Sequence, residues 1–336
     1  MKTMKRLLVL LMAVILIAGA AACGADTAPA PAPETQPGDV ADSEGNGIAD
    51  TPTEQPSEAS PSVTVDREGN PVTLPDTIET IISMGPANTE ILVALGFADR
   101  IIAIDEFSEN IPGLPVGIPQ FDMMAPDAEQ ILALTPDVVF MPGMTIDAGG
   151  ADPFQMIRDA GITVIFIPTS SSIAGIMDDI RFFGGIMGAN ELAEKIITQM
   201  DSEIEEFREI GRAITERRTV YFELSPAPWM VSLGRDTFLN EMIEIIGAVN
   251  VFADLDSWTS IADEALLLAN PDVILTSVNF IDDPIGEIMS RPGWGAITAV
   301  NEGAVFIIDT DASNRPSHNI VIALREMAQA VYPEYF

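Results

Sequence analysis

The chain has 336 residues, with 51 Asp and Glu against 16 Lys and Arg, and its formal net charge at pH 7 is -35. This acidity argues against a nucleic-acid-binding protein, because such proteins need clustered Lys and Arg to neutralise phosphates. The length suits about two domains, and a hydrophobic content of 47% is enough to build their cores.

The first residues are predicted to be an export signal that ends at Cys23. The basic start "MKTMKR" is followed by the apolar run "LLVLLMAVILIAGAAA", which is the order found in secretory signals. Small residues stand directly before Cys23, the only cysteine, and this arrangement resembles the lipobox of bacterial lipoproteins. The resemblance implies that residues 1–23 are a lipoprotein signal peptide and that Cys23 carries lipid after cleavage. An ordinary signal peptide with a chance cysteine is the alternative.

Residues 24–62 are acidic and rich in proline, and they contain no aromatic residue and no Lys or Arg. Such a segment cannot bury enough apolar surface to offset the entropy lost on ordering, so it is predicted to be disordered. Its prolines and its like charges favour an extended chain. We expect a tether that holds a folded body away from a membrane.

Residues 63–189 are predicted to form an N-terminal lobe of alternating strands and helices. "VTVDREGNPVTLP" (63–75) indicates two short strands around a Gly-Asn turn, and "TIISMG" indicates a buried strand. "PANTEILVALG" then predicts a helix that ends at Gly96. The strands "RIIAID" and "GITVIFIP" and the helix "IAGIMDDIRFFGGIMG" continue the alternation, which favours a parallel sheet covered on both faces.

A long amphipathic helix is predicted next. From Asn190 to Gly211 apolar residues recur at helical spacing, and no Pro or Gly interrupts the segment. We assign residues 190–217 to this connecting helix and residues 218–336 to a C-terminal lobe. The order of elements restarts there, since "TVYFELSPAP" corresponds to "TIISMGPA" and "FLNEMIEIIG" corresponds to "TEILVALG".

One stretch is repeated more closely than the rest. "PDAEQILALTPDVVF" (126–140) returns as "IADEALLLANPDVIL" (261–275), which superposes Glu129 on Glu264 and Asp137 on Asp272. Each copy predicts a short helix, a Pro-Asp corner and a buried strand. The repeat therefore indicates two lobes of like topology, although any α/β chain produces some echoes of this kind.

The segments that carry a family resemblance are "TIISMGPANTEILVALG", "PDAEQILALTPDVV", "RPGWGAITAVNEGAVFIID" and the lipobox. In this order, with the long helix between them, they resemble the substrate-binding proteins of bacterial ABC importers for iron-siderophores, haem and cobalamin. The resemblance covers the chain from Val63 to Phe336. It implies an α/β fold with two Rossmann-like lobes, each with a parallel sheet, joined by one long helix. It places a ligand cleft between the lobes, which close only slightly.

The resemblance also implies a function. We expect an extracytoplasmic, lipid-anchored, monomeric protein that captures an iron complex or cobalamin and delivers it to a permease dimer with its ATPase. The metal complex is cargo, and no cofactor of the protein's own is expected. Family members carry one glutamate on the outer surface of each lobe that docks onto arginines of the permease, and the matching positions are Glu129 and Glu264. The alternative is that each glutamate only favours the first turn of its helix through the helix dipole.

Ligands of open α/β sheets lie beyond the carboxyl ends of the strands, so we predict ligand contacts in the segments after those ends. The predicted cleft residues are Pro86, Asn88, Phe107, Phe121, Asp122 and Met144 from the first lobe and Trp229, Arg235, Trp258, Phe280 and Arg315 from the second. The aromatic rings suit a flat apolar ligand. For Trp229 and Trp258 core packing is the alternative, and Trp294 in "RPGWGAI" is predicted to be structural.

Arg235 and Arg315 are the predicted cleft cations, because a guanidinium group suits carboxylate, phosphate or hydroxamate oxygens. A solvated surface arginine is the alternative for each. The lack of a dense arginine cluster disfavours a highly anionic ferric catecholate. A free zinc or manganese site needs several histidines, and the chain has only His318, so no metal site is predicted. Whether His318 touches the ligand stays open.

An enzyme on a Rossmann-like scaffold is the main alternative function. The sequence lacks GxGxxG, a P-loop and a Ser or Cys nucleophile with a histidine partner, so no catalytic residue is predicted. A surface scaffold that has lost its ligand is a third reading. The export signal, the tether and the twin glutamates favour a binding protein.

Overall fold

The computed structural model describes residues 63–143 and 154–336. The predicted signal peptide and tether, Cys23 and the predicted cleft residue Met144 lie outside the described residues. None of the helices in the described ranges combines the length and the apolar character needed to cross a lipid bilayer.

The N-terminal lobe is built on a five-stranded parallel sheet with the order β3-β2-β1-β4-β5. Its strands are β1 (Ile81–Ser83), β2 (Ile101–Asp105), β3 (Gln120–Phe121), β4 (Val138–Pro142) and β5 (Thr163–Ile167). Its helices are α1 (Pro86–Ala94), α2 (Ala128–Ala133), α3 (Gln155–Asp159) and α4 (Ile173–Met187), with a 3₁₀ turn at Ala98–Arg100. Every residue of β1 and β4 is buried, as expected for a parallel sheet that is covered on both faces.

The C-terminal lobe has a four-stranded parallel sheet with the order β11-β10-β6-β8. The strands of this lobe are β6 (Thr219–Glu223), β7 (Val231–Leu233), β8 (Val249–Asn250), β9 (Trp258–Ser260), β10 (Val273–Thr276) and β11 (Val305–Ile307). The connecting helix α5 (Asn190–Ala213) precedes them, and the helices of the lobe are α6 (Phe238–Ile245), α7 (Asp263–Ala269), α8 (Pro284–Ser290), α9 (Thr298–Glu302), α10 (Thr310–Asn314) and α11 (Ile320–Val331), with a 3₁₀ turn at Trp294–Ala296. The antiparallel pair of β7 with β9 has no counterpart in the sequence-based prediction.

The two sheets share one topology. In each sheet the first strand of the lobe, β1 or β6, is flanked by β2 or β8 on one side and by β4 or β10 on the other, with β5 or β11 beyond. The predicted α/β fold with two lobes of like topology is therefore confirmed. The lobe boundaries at 189 and 217 stay predictions.

Helix α5 begins at the predicted residue and ends at Ala213, before the predicted end at 217, because the backbone is extended at Ile214. Its 24 residues correspond to roughly 36 Å. It packs against α4 of the first lobe and against α6 and α11 of the second. Gly211 permits its closest approach, because a Cβ atom there would lie 2.1 Å from the carbonyl oxygen of Ile245 at the end of α6. Only glycine lets the connecting helix reach that backbone.

Buried apolar side chains of the described residues form three clusters. One lies within the first lobe and includes Ile82, and one lies within the second lobe and includes Trp294. The third runs across both lobes, from Leu92 on α1 through Ile197 on α5 to Leu239 on α6. Because separating the lobes would expose this shared cluster to water, they form one packed body.

The repeated Pro-Asp corner has the same structural role in both lobes. The Asp137 carboxylate accepts hydrogen bonds from the backbone amide and the hydroxyl of Thr80, at 2.8 and 2.9 Å, just before β1. The Asp272 carboxylate accepts the same two bonds from Thr219, at 2.8 and 2.7 Å, where β6 begins. Each aspartate thus ties the strand that follows it to its central neighbour.

The segment 63–75 differs from the predicted pair of short strands. It forms a single antiparallel bridge between Val65 and Pro71. The buried Asp66 carboxylate accepts hydrogen bonds from the backbone amide and the side-chain amide of Asn70, at 2.8 and 2.9 Å. These bonds satisfy backbone groups locally and compete with extended strand pairing.

Candidate ligand cleft and docking surfaces

Asp105, at the carboxyl end of β2, organises the loops of the first lobe that face the predicted cleft. Its buried carboxylate accepts hydrogen bonds from the Gly85 amide (2.9 Å), the Phe107 amide (2.8 Å) and the Ser108 hydroxyl. Burial raises the pKa of Asp105, and these three bonds offset the rise only in part. Asp105 therefore ties together the loops that carry the half-buried Pro86 and Phe107. Sequence reasoning did not single out Asp105, although "RIIAID" ends on it.

Two other predicted cleft residues have structural partners. Asn88 is buried and its side-chain amide donates to the Met84 carbonyl oxygen at 2.9 Å, which holds the turn between β1 and α1. Gly85 in that turn has a φ of 95°, a conformation that favours glycine. Asp122 is exposed and accepts from the Met124 amide at 2.8 Å. Ligand contact at Asn88 and Asp122 stays a prediction.

The predicted aromatic residues differ in how much ring surface they offer. Trp229 is 69% exposed and Phe280 is 38% exposed. Trp258 is half-buried and packs edge-on against Phe238, with 6.1 Å between the ring centroids. Phe121 lies in the core of the first lobe with 6% of its surface exposed, so it has little to offer a ligand. Of these four rings, Trp229 exposes the most surface and Phe280 is also exposed, and their contact with a ligand stays a prediction.

Arg315 is engaged by groups of both lobes. Its guanidinium pairs with Glu90 on α1 at 2.7 Å and with Asp311 on α10 at 2.8 Å. It also donates to the Phe107 carbonyl oxygen at 3.1 Å. Arg315 therefore joins the C-terminal lobe to the N-terminal lobe, and its charge is already balanced by two carboxylates.

The other predicted cleft cation, Arg235, is exposed and pairs with Asp256 at 2.5 Å. The buried Arg291 of "RPGWGAI" binds both carboxylate oxygens of Glu223, at 2.6 and 2.9 Å. It also lies 4.3 Å from the centroid of the Trp294 ring, which is fully buried. Trp294 is thus structural, as predicted, and both predicted cleft arginines are neutralised by carboxylates.

His318 is half-buried between the predicted cleft residue Arg315 and the start of α11. Its Nδ1 atom is buried and makes no hydrogen bond with the described residues. Burial lowers the pKa of His318 and thereby favours the neutral ring, and the charge of Glu90 offsets this only in part. Within the described residues no group of three or more metal-ligating side chains is found.

The twin glutamates of the repeat occupy equivalent exposed positions. Glu129 lies in the first turn of α2 and Glu264 in the first turn of α7. The two helices lead into β4 and β10, the matching strands of the two sheets. Neither carboxylate makes an ion pair or hydrogen bond with the residues that the structure describes. Both side chains are therefore available for a partner.

Residues 81–312 match the family described as "Periplasmic binding protein". The chain belongs to this family.

Relatives and solved structures support the same assignment. An "Uncharacterized ABC transporter substrate-binding lipoprotein YvrC" of Bacillus subtilis (strain 168) is 30% identical over 289 residues, which are 85% of this chain and 90% of the relative. A "Vitamin B12-binding protein" of Vibrio cholerae is 25% identical over 252 residues, 74% of this chain and 87% of the relative. The crystal structure of a "possible" iron-binding (periplasmic solute-binding) protein of Staphylococcus epidermidis aligns with a TM-score of 0.67 and 26% identity, over 76% of this chain and 99% of that chain.

The family membership confirms the predicted resemblance and the predicted class of function. The protein is a substrate-binding protein of the ABC-importer type and not an enzyme. It acts outside the cytoplasm and works with a permease and its ATPase. The individual cleft contacts and the two docking positions stay predictions.

Trp229→Ala should weaken ligand binding and leave the free energy of unfolding within about 0.5 kcal/mol of the wild-type value, because this ring lies mostly in solvent. Trp294→Ala is the matched control: it removes the same ring from the core and should cost about 3–5 kcal/mol. Urea denaturation and titration with cyanocobalamin and haemin measure the two effects. A Trp229→Ala variant that binds its ligand like the wild type would show that this ring is not a ligand contact.

Proposed function

We propose that this protein captures a metal complex with little or no negative charge and delivers it to a membrane permease. Cobalamin is the first candidate for this complex. The choice of ligand rests on one observation, which is that both predicted cleft arginines are already in ion pairs with carboxylates. Arg315 is bound by Glu90 and Asp311, and Arg235 is bound by Asp256.

Anionic ligands need cations that are free to bind them. The two haem propionates, the catecholate groups of a ferric siderophore and small oxyanions all depend on charge-assisted bonds, for which arginine is best suited. Here such a ligand would have to displace carboxylates from both arginines, in a chain whose net charge is -35. Cyanocobalamin carries no net charge, and its broad corrin ring suits the exposed rings of Trp229 and Phe280.

The Vibrio cholerae relative is named for vitamin B12, which agrees with this proposal. The Staphylococcus epidermidis protein is described as a possible iron-binding protein, and this favours an iron complex as the second candidate. A neutral ferric hydroxamate such as ferrichrome would satisfy the same charge argument. The two candidates therefore differ in metal and shape and agree in charge.

Thermal unfolding of the full chain with four compounds tests the ligand. Cyanocobalamin at about a hundred times its dissociation constant should add roughly 2.7 kcal/mol of stability. Haemin and ferric enterobactin should add nothing, because the cleft arginines are occupied. Stabilisation by ferrichrome instead of cyanocobalamin would favour the iron alternative. Stabilisation by haemin or ferric enterobactin, or by none of the four, would contradict the proposal.

The twin glutamates are the proposed docking sites for the permease. A permease dimer presents two like sites, and one copy of this protein offers one exposed carboxylate on each of two like lobes. Charge-assisted contacts with arginines would fix the register of the complex more than they add affinity. Leu268, one helical turn after Glu264, is 88% exposed and adds an apolar contact surface beside that carboxylate. The matching position in the first lobe is Ala133.

Glu129→Ala and Glu264→Ala should lower uptake in reconstituted vesicles, and the double variant should lower it further. Ligand affinity in the isolated protein should not change. Charge reversal to arginine should reduce uptake more than alanine does, because like charges would then meet at the dock. The control is Glu302→Ala, which removes an exposed carboxylate from α9. Normal uptake by both alanine variants would show that the repeat reflects shared architecture only.

The proposed anchor is a lipid on Cys23, joined to the folded body by the acidic tether of residues 24–62. The name of the Bacillus subtilis relative includes the word lipoprotein, which supports this proposal. Cys23→Ala should release the protein into the medium or leave it unprocessed in the membrane. Mass spectrometry of the wild-type N-terminus checks the modification, and a mature protein without lipid would contradict the proposal.

A further inference from the structure

The Glu90 carboxylate crosses from the first lobe to the second. It is buried on α1 and accepts three hydrogen bonds from the segment that leads into α11. The donors are Arg315 Nη1 at 2.7 Å, Ser317 Oγ at 2.5 Å and Asn319 Nδ2 at 2.9 Å. Ser317 in turn accepts from the Asn319 amide at 3.2 Å, so the start of α11 depends on this cluster. The Glu90 side chain of the first lobe thus binds the segment at the N-terminus of α11, the last helix of the second lobe.

The Glu241 carboxylate crosses in the opposite direction. It lies in the first turn of α6 and accepts the backbone amide of Ile173 at 2.9 Å. Ile173 is the first residue of α4, where a helix has backbone amides without partners in the helix. Burial raises the pKa of Glu241, and the Ile173 amide offsets this in part. The Glu241 side chain of the second lobe thus binds the N-terminus of α4, the last helix of the first lobe.

The two crossings are equivalent by sequence and by fold. "TEILVALG" (89–96) aligns with "NEMIEIIG" (240–247), which superposes Glu90 on Glu241 and Gly96 on Gly247. Helices α1 and α6 are the first α-helices of their lobes, and α4 and α11 are the last. Each glutamate therefore extends from the first helix of its own lobe to the start of the last helix of the other, so the two contacts are reciprocal.

We propose that Glu90 and Glu241 form a reciprocal latch that sets the relative orientation of the two lobes and thereby the width of the ligand cleft. The shared apolar cluster holds the lobes together without prescribing one angle, because apolar contact is non-directional. The carboxylate bonds are directional and define the angle. Glu90, with three donors, is the stronger half, and Glu241, with one, is the weaker half. The two residues position the cleft and need not touch the ligand.

Hydrogen–deuterium exchange of the full chain tests the latch across the lobe boundary. Glu241→Ala should speed exchange in residues 172–176 of the first lobe about tenfold, and Glu90→Ala should do the same in residues 317–322 of the second. Glu244→Ala is the matched control, because Glu244 lies exposed on the same helix as Glu241, and within the described residues its carboxylate accepts a hydrogen bond only from the Asn240 side chain. It should leave residues 172–176 unchanged.

The conservative variants Glu90→Gln and Glu241→Gln show whether an effect of the alanine variants reflects a general loss of folding. Glutamine keeps the shape and one acceptor oxygen, so exchange in the opposite lobe should rise less than in the alanine variants. The proposal is overturned if exchange rises only within the mutated lobe, or rises equally in the Glu244→Ala control. It is also overturned if the alanine variants fail to fold while both glutamine variants exchange like the wild type.

A second measurement connects the latch to ligand binding and rests on the proposed function. Cyanocobalamin should dissociate faster from the Glu90→Ala, Glu241→Ala double variant, by about tenfold, than from the wild type. Unchanged dissociation with altered exchange would overturn the link to cleft width. If the wild type binds no cyanocobalamin, the ligand proposal fails, whereas the exchange measurement still decides the latch.

Discussion

The apolar cluster shared by the two lobes is the constraint on which the rest of the structure depends. Its side chains come from α1 and α4 of the first lobe, from the connecting helix and from α6 and α11 of the second. Opening the lobes widely would expose these side chains to water, which is unfavourable in proportion to the apolar area exposed. Wide separation of the lobes is therefore unfavourable, and the proposed contacts of Glu90 and Glu241 set the remaining orientation and the width of the cleft. The close contact of Gly211 with the end of α6 adds to this rigidity.

Charge is the second constraint, because positively charged residues are scarce in this chain. The chain has 16 Lys and Arg against 51 Asp and Glu, and most arginines of the described residues pair with at least one carboxylate. Arg291 forms an ion pair with Glu223 in the core of the second lobe. Arg315 forms ion pairs with Glu90 and Asp311 between the lobes. Arg315 is thus a structural element between the lobes, and this observation supports the proposal of a ligand that does not compete for it.

The internal repeat has consequences at three levels. At the Pro-Asp corners it gives both sheets the same hydrogen bonds from Asp137 and Asp272. On the outer surface it places Glu129 and Glu264 at matching points. At the lobe interface it produces two crossings of unequal strength, Glu90 with three side-chain donors and Glu241 with one backbone amide. Glu90 and Glu241 therefore occupy equivalent positions and have different partners, whereas the two aspartates have equivalent partners as well.

The sequence by itself determined the elements whose signal is local. The period of apolar residues predicted α5 from its first residue, and the apolar runs predicted the central strands, because helix and strand periodicity follow from backbone geometry. The order of elements and the repeated segment predicted two lobes of one topology. The same residues carried the family resemblance, and Trp294 of "RPGWGAI" lies in the core, as the sequence predicts.

Only the tertiary structure decided which polar groups meet. Arg315 and Glu90 are 225 residues apart in the chain, and no local pattern indicates that they pair. The packing of Phe121 in the core and the role of Asp105 between two loops were missed for the same reason. The segment 63–75 differs for a local reason, because Asp66 bonds to Asn70 in place of an extended strand pair. A side chain's type states which bonds it can make, whereas the partner it finds depends on how distant elements pack, and packing sums contacts over the whole chain.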